Sequence, residues 1–389
     1  MEEIQLKDIC DLDNGYAFKS DDYVDNSNTL NCRMSNIRPD GSFDILYSAK
    51  YLPNEFAEKF KDYILHDGDL IIAMTDMAGD PKILGVPTVV DTQGFCLLLN
   101  QRVGRLRFIR EGVNADYLKL ALQCPKVRTY LKRFAGGGVQ LNVSKKDILS
   151  APVCMRNEEE QDHIAGLFKR VLEVKIKREQ ELQLLDNLIK ARFVEMFGDP
   201  TTNPKGYINL TVAEAIEAGY IEKPFDGNHG SKHPKASEYV ESGIPFLMAN
   251  NVIDGNVDLT NCSFITEERA NKLDKGFAKN QDVLITHKGT IGRTAVLRTD
   301  YEFVMLTPQV AAYRVKKGIT PDYLCSYFTT EFFQNDMRLL AAAGGSTRAY
   351  AGITAQLQLR LIIPPLDEQK VYTDFIKQVD KSKFIQQII

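Results

Sequence analysis

His229 and His233 are the pair of residues whose spacing most suggests metal chemistry. Four residues apart on a helix, two imidazoles can share one cation. They lie instead in Asp226-Gly-Asn-His-Gly-Ser-Lys-His-Pro234. Its glycines and proline do not suit a helix, so no metal site is expected there. Gly136-Gly-Gly138 and Gly344-Gly345 offer bare backbone that could cradle a phosphate, and read equally well as flexible loops. Bond-breaking chemistry is otherwise missing. The sequence has no GxxxxGK[ST], no GxGxxG after a strand, no HExxH and no GxSxG. Pro364-Pro365 follows Ile-Ile, without the Asn or Asp an amino-methyltransferase would place there. Seven scattered cysteines with no CxxC argue against a disulfide framework and a cysteine-held zinc, and suit a reducing compartment.

The chain's 389 residues correspond to two or three domains, and 44% apolar residues suffice for real cores. No apolar run is long enough to span a bilayer. The acidic start, MEEIQLKDIC, is unlike a signal peptide, so a cytoplasmic location is expected. The net charge of −4 hides strong segregation: residues 1–101 carry 8 basic against 18 acidic residues, and residues 102–146 carry 11 against 2. Residues 272–317 repeat the basic bias mildly, with 9 against 4. Local Lys/Arg density, not total charge, is what a polyanion feels, so the basic stretches are candidate nucleic-acid faces or merely solvated helix surfaces.

The elements that must position these side chains occur twice. Met34-Ser-Asn36…Asp40-Gly41 is matched by Met248-Ala-Asn250…Asp254-Gly255, and Asp69-Leu-Ile-Ile by Asp282-Val-Leu-Ile. Asn100-Gln101 pairs with Pro308-Gln309, Asp116-Tyr-Leu with Asp322-Tyr-Leu, and Glu160-Gln161 with Glu368-Gln369. The offsets drift between 206 and 214, as in a duplicated domain with small indels. Each copy opens with a short amphipathic element and a Gly-containing loop, and enters an Asp-Gly hairpin turn. Two strands follow, Leu70–Met74 and Gln101–Phe108 or Val283–Thr286 and Gln309–Val315. A single helix, 116–134 or 321–340, then precedes the small-residue loop and a last strand leading to proline. Strands grouped before a helix indicate mixed α/β (α+β) lobes in tandem.

Residues 157–197 read as one long helix. Asn157 is followed three positions on by Glu160, apolar residues recur at helical spacing, and Gly198-Asp-Pro200 stops the run. Such a rod is roughly 60 Å long. Its apolar stripe needs a partner helix, which the segment opening at Glu368-Gln369 supplies with Val371, Phe375, Val379 and Ile388. The expected layout is a first recognition domain at 1–156, a central helix at 157–200, a second recognition domain at 201–367 and a distal helix at 368–389. Together they would make a dumbbell with internal pseudo-symmetry on antiparallel coiled-coil helices.

Several stretches carry a resemblance: Gly15-Tyr-Ala-Phe-Lys-Ser20, Gly68-Asp-Leu-Ile-Ile-Ala-Met74, Leu99-Asn-Gln-Arg-Val-Gly104, Gly243-Ile-Pro245, Pro364-Pro-Leu-Asp-Glu-Gln369 and, within the central helix, Glu-Glu-Gln161…Leu-Leu-Asp-Asn-Leu188. In this order and duplication the chain resembles the specificity (S) subunit of type I restriction-modification enzymes. The resemblance implies a non-catalytic subunit whose two target recognition domains each read half of a bipartite, asymmetric DNA site. It implies helices that set the gap and dock two modification (methyltransferase) subunits, with restriction (translocase/nuclease) subunits joining them. S-adenosylmethionine, ATP and Mg²⁺ would belong to those partners, leaving this chain without a cofactor. The rivals are a self-contained DNA-modifying enzyme, a purely structural scaffold, and a truncated orphan subunit acting as a homodimer.

By the repeat offset the distal helix is about 16 residues shorter than the central one. That leaves 157–176 unpaired and Ile164, Phe168 and Val171 exposed unless a partner covers them. Base edges are read by Arg, Lys, Asn, Gln or His on loops. In the first lobe the candidates are Lys19, Ser20, Arg33, Asn36, Gln101, Arg102, Gln140 and Asn142, with Lys145 and Lys146 as phosphate contacts. In the second they are Asn228, His229, Lys232, Asn250, His287, Lys288, Arg293, Ser346 and Arg348. Asn36 and Asn250, each ahead of a turn, have a structural role as their alternative.

Overall fold

The computed structural model describes residues 2–253, 255–343 and 349–388, the side chains of 385–388 excepted. Candidates Ser346 and Arg348, and the Gly344-Gly345 pair, lie outside the described residues. The chain divides into two compact units, Met1–Ile176 and Lys177–Ile389, with the boundary inside the long helix. No described helix is long and apolar enough to cross a membrane.

In unit 1, Leu70–Ala73 is the central apolar run. Leu70 and Ile72 join the core beneath the helices, whereas Ile71 and Ala73 join the core between two sheets. Burial on both faces explains why this strand shows no polar alternation. It belongs to a four-stranded sheet ordered Cys10–Asn14, Val103–Phe108, Leu70–Ala73, Pro87–Val89. A second sheet runs Tyr51–Leu52, Thr29–Cys32, Cys96–Leu99, Ile64–Leu65, and its middle pair is parallel. Glu2–Gln5 pairs with Pro152–Met155, closing the lobe.

Unit 2 repeats this order strand for strand. One sheet is Phe225–Asp226, Val310–Tyr313, Val283–Lys288, Thr290–Val296. The other is Ser263–Ile265, Ile244–Leu247, Val304–Leu306, Phe277–Ala278, again with a parallel middle pair. Ile208–Thr211 and Arg360–Ile363 form the closing pair. The duplication is therefore structural, with two registers one residue away from the sequence matches. Asn36 corresponds to Asn251, since both accept the backbone N–H three residues back, of Arg33 (2.8 Å) and Met248 (2.9 Å). Arg102 corresponds to Gln309, since their carbonyls accept from Met74 and His287.

Neither of the single helices expected at 116–134 and 321–340 is continuous. Asn114 caps Ala115–Gln123, Cys124 turns extended (ψ 137°), and Pro125 starts Pro125–Phe134, because a residue before proline avoids the helical region. In unit 2, Pro321–Phe328 ends where the Thr329 and Thr330 hydroxyls donate to the carbonyls of Ser326 and Tyr327, both at 2.7 Å. Such side-chain bonds compete with the helical ladder, and Glu331–Ala343 begins afresh.

The long helix forms as expected, over Glu158–Phe197, and Gly198 ends it at φ +79°. Within unit 2 its last turns pack antiparallel to Leu366–Ile388. Tyr372 donates to the Ile189 carbonyl (3.3 Å), and Lys383 meets Asp186 (2.5 Å). In unit 1, Phe168 and Val171 are exposed as anticipated, but Ile164 is half-buried against the core below the helices.

The repeated Glu-Gln has a physical explanation. Gln161 Oε1 accepts from the Asn114 backbone N–H (3.0 Å), while its Nε2 donates to the carbonyls of Arg156 (2.8 Å) and Gly112 (3.3 Å). Gln369 makes the same three bonds, to Thr320 (2.9 Å), Pro364 (2.8 Å) and Gly318 (2.9 Å). One buried amide thus ties the first turn of each following helix to the loop that starts the lobe's helix pair. Gln369→Ala leaves these backbone groups unpaired. It is expected to lower unit 2 stability by about 2–3 kcal/mol. Urea unfolding of the intact chain would read this as an earlier transition, and an unmoved transition would refute the clamp.

Candidate nucleic-acid interface

In each unit the central strand runs on past its sheet and meets the segment that follows the glycine-rich loop. In unit 1, Thr75–Met77 pairs with Gln140–Asn142, and the Thr75 hydroxyl donates to Asn142 Oδ1 at 2.7 Å. Met74 N–H reaches the Arg102 carbonyl (3.0 Å), and Val143 N–H reaches that of Met74 (2.9 Å). Gln101 N–H bonds to the Tyr16 carbonyl, and Asn100 N–H to that of Cys32, beside Arg33. Arg33, Gln101, Arg102, Gln140 and Asn142, far apart in sequence, therefore share one rim. Gly15 is required there, since a Cβ would collide with the backbone of Leu99 and Asn100. Gly227 sits likewise against Leu306 and Thr307. Lys19 and Ser20 are exposed beyond the Phe18 cluster, which includes Phe56 and Phe60.

In unit 2, Lys288 bridges Tyr350, with its ammonium 5.6 Å from the ring centroid. Gly289 (φ +79°) turns the chain into Thr290–Val296, and its N–H bonds to the Ala349 carbonyl (2.9 Å). Arg293 is exposed, with its backbone N–H held by Thr286 Oγ1 (3.0 Å). The rim of unit 2 is thus built from the same backbone positions as that of unit 1. The sequence reading singled out the post-glycine segment of each unit, with Ser346 and Arg348 of unit 2 outside the described residues, and the hairpin in unit 2. It missed the complementary halves, Thr75–Met77 and Tyr350, and did not choose Gln309. Only strand pairing reveals those partners, although Gln309 stood in a recognised repeat.

Three candidates are internal. Asn36 is buried, its Nδ2 donating to the carbonyls of Asp44 (2.9 Å) and Ile45 (3.1 Å). Asn228 is buried too, bonded to the Lys275 carbonyl (2.6 Å) and the Asp274 N–H (3.1 Å). His287 is 0% exposed, so its ring reaches no base edge. These three side chains brace loops and are corrected from readers to supports. His229 is half-exposed and meets buried Asp226 at 2.7 Å, and Asp226 also pairs with Lys275. Lys232 pairs with Asp274, and Lys145 with Asp11 at 2.8 Å. Lys19, Arg33, Gln101, Arg102, Gln140, Lys146, Asn250 and Arg293 have side chains free of hydrogen bonds and ion pairs among the described residues. No group of three His, Cys, Asp or Glu among those residues could hold a metal ion.

The basic stretch 102–146 is neutralised in part, at Arg105, Arg107, Lys126 and Lys145. Val103–Phe108 lies beside the acidic strand Cys10–Asn14, so Arg105 pairs with Asp13 (3.1 Å) and Arg107 with Asp11 (3.2 Å). Lys126 pairs with Glu3. The Lys145 ammonium, hydrogen-bonded to Asp11, holds that carboxyl below its ordinary range. In the second basic stretch, Arg314 takes Asp282 (2.7 Å) and Arg298 takes Asp322 (2.6 Å). Ion pairs to other segments thus reduce the charge excess of each stretch, and free cations remain, among them those at the rims.

A family described as the type I restriction modification DNA specificity domain matches residues 1–186 and 225–389. The chain belongs to that family. This makes it a DNA sequence-specificity subunit, not a catalytic one. It is 21% identical over 345 residues to the type I restriction enzyme MjaVIII specificity subunit of Methanocaldococcus jannaschii, covering 86% of this chain and 78% of that protein. The fold matches the S subunit of a type I system from M. genitalium with a TM-score of 0.58 at 11% identity, over 99% of this chain and 91% of the other. A chain from a study of type I R-M complex assembly and conformational transition matches at 0.54 and 18% identity, over 99% and 92%.

The buried His287 also gives the specificity subunit a pH signature. Its ring Nδ1 lies 3.0 Å from the Ala351 carbonyl, and its Nε2 makes no hydrogen bond, with Asp226 Oδ2 3.8 Å away. Desolvation holds this imidazole below the ordinary histidine range, although Asp226 opposes the shift. The unfolded chain takes up that proton near pH 6.5, and the folded chain only at lower pH. Stability is therefore full above about pH 6.5 and declines as pH falls through the folded value. His287→Gln is expected to flatten the decline between pH 7 and 5. His233, shifted the same way by burial, supplies a residual slope. Identical urea midpoints against pH in the two proteins would contradict this.

Proposed function

We propose that each unit reads one half of a bipartite, asymmetric DNA site. The helices Glu158–Phe197 and Leu366–Ile388 act as the spacer that fixes the gap and docks two modification subunits, and restriction subunits join that complex in the cytoplasm. S-adenosylmethionine, ATP and Mg²⁺ serve those partners. The observation that carries the reading is the pair of rims, matched in backbone hydrogen bonds at Met74 and His287 and at Val143 and Ala351, and different in side chains. Where unit 1 presents Arg102, unit 2 presents Gln309, and where unit 1 presents Asn142, unit 2 presents Tyr350. One scaffold bearing two unlike sets of readers suits an asymmetric target. Two half-sites held at fixed spacing bind as one cooperative event.

The free cations at the rims divide into two roles. Arg102 is suited to a guanine edge, where a bidentate contact is worth about 1–3 kcal/mol of discrimination. Lys146, exposed and unpaired, is suited to a phosphate, which positions without specifying.

The test is to co-express the chain with a cognate modification subunit and map methylated adenines in host DNA. A split motif with a constant gap is expected. Exchanging residues 206–367 for another second lobe should alter one half only, and a change in both halves would defeat the reading. With the purified complex, Lys146→Ala should weaken all sequences alike and flatten the log–log salt slope by about 0.9. Arg102→Ala should relax preference at one base position, and a uniform loss instead would reassign it to the backbone.

A further inference from the structure

The ribbon that Thr75–Met77 makes with Gln140–Asn142 has two unlike faces, because side chains alternate along a strand. Asp76 and Leu141 oppose each other on the inner face. Leu141 packs on the core beneath the helices. The buried Asp76 carboxylate accepts from the backbone N–H groups of Met77 (2.7 Å), Ile83 (2.5 Å) and Leu84 (2.9 Å). On the outer face Thr75 opposes Asn142, and Met77 opposes Gln140. The Thr75 hydroxyl engages Asn142 Oδ1, so Met77 and Gln140 are the outer pair left to meet a ligand. In unit 2 the corresponding strand turns back at Gly289 (φ +79°) after the Lys288–Tyr350 bridge, so the extension through Asp76 to Met77 belongs to unit 1.

A scattered exposed methionine calls for no explanation. Met77 differs in what holds it and in what stands beside it. It is 49% exposed on a strand fixed by the Asp76 bonds. Directly across lies Gln140, whose carboxamide makes no hydrogen bond among the described residues. Exposed cations flank the ribbon in sequence. Lys132 and Arg133 end the helix that leads to Gly136, which exchanges two backbone hydrogen bonds with Asn142 (3.1 and 2.9 Å), and Lys146 follows on the other side. An apolar tip beside a free amide, between cations, has the chemistry of a groove reader. The major groove, about 12 Å wide, admits a two-stranded ribbon. There a glutamine amide matches adenine N6 and N7, and an apolar side chain matches the thymine methyl, which the minor groove does not display. Cross-strand partners stand about 5 Å apart, so both edges of one base pair are within their reach.

We propose that Met77 is a specificity-determining residue that reads a thymine methyl. The ribbon lies in the major groove over an A·T pair of the half-site read by unit 1, with Met77 on the thymine C5-methyl and Gln140 bidentate on the adenine. This rests on the reading that unit 1 recognises a half-site, and adds to it the base pair and the group recognised.

The probe is a set of duplexes carrying the mapped site, with deoxyuridine replacing thymidine at one position at a time. The half read by unit 1 is the one left unaltered when residues 206–367 are exchanged. Binding is measured by fluorescence anisotropy with the full chain in complex with the modification subunit. At one thymine of that half, deoxyuridine should weaken parent binding about fourfold, the factor for one methyl group withdrawn from an apolar contact. Met77→Ala should lose about as much on the thymine duplex and show no further loss on the deoxyuridine duplex. Met77→Leu should keep the discrimination, and Gln140→Ala should relax preference at the same base pair. Deoxyuridine in the other half should act equally on the parent and on Met77→Ala. If every deoxyuridine in the unit 1 half also acts equally on the two, the proposal is overturned while site-specific binding stands. No preference for the mapped site over a scrambled duplex would overturn it together with the reading beneath it. Loss of the modification subunit from the Met77→Ala complex would give the residue to a protein contact, and this too overturns the proposal.

Discussion

A single buried amide in each unit decides how helix and lobe are joined. Gln161 and Gln369 each satisfy one N–H and two carbonyls that would otherwise be stranded where a loop, a helix start and a strand end converge. Backbone groups at such a junction cannot be paired by regular structure, because no ladder passes through it. A glutamine reaches all three with one planar group, which no apolar residue can do. Everything after the junction inherits its direction from those bonds, including the register that places Tyr372 beneath Phe193 and Phe197.

The lobe itself is a three-part sandwich of helix pair, sheet and second sheet, with the central strand buried on both faces. That explains how one short run, Leu70–Ala73 or Val283–Ile285, feeds two separate cores. It also explains why the rim lies at this strand's far end. The strand is buried on both faces and paired along both edges, and it continues into Thr75–Met77 or Lys288. Side chains held by such a strand are better placed than side chains on a free loop.

Much of this was visible in the sequence, for physical reasons that can be named. The long helix was legible because its start, its apolar period and its glycine stop are all local. The duplication was legible because core and clamp residues, Asp69 with Asp282 and Gln161 with Gln369, do the same work twice. Two registers slipped by one because Met34-Ser-Asn and Met248-Ala-Asn-Asn align equally well by letter. Only the hydrogen bond of Asn251 separates it from Asn250. The helix breaks at Cys124 and Thr330 lost to a strong apolar period. The candidate readers were the least legible. His287 and Asn228 have the chemistry of base readers, and nothing local shows that a folded lobe closes over them. The pairing of Arg105 and Arg107 with Asp13 and Asp11 likewise joins segments about ninety residues apart.

That cross-strand cancellation bears on how such a protein searches a genome. Long-range attraction to random duplex scales with uncompensated cations, and it fades beyond about 10 Å at moderate ionic strength. A lobe that commits Arg105, Arg107, Lys126 and Lys145 to its own carboxylates has less grip on arbitrary sequence than its basic content suggests. If each lobe reads a half-site as proposed, such a lobe should leave wrong sites sooner, spend less time as a bystander on bulk chromosome, and stay where the contacts at both half-sites are made together.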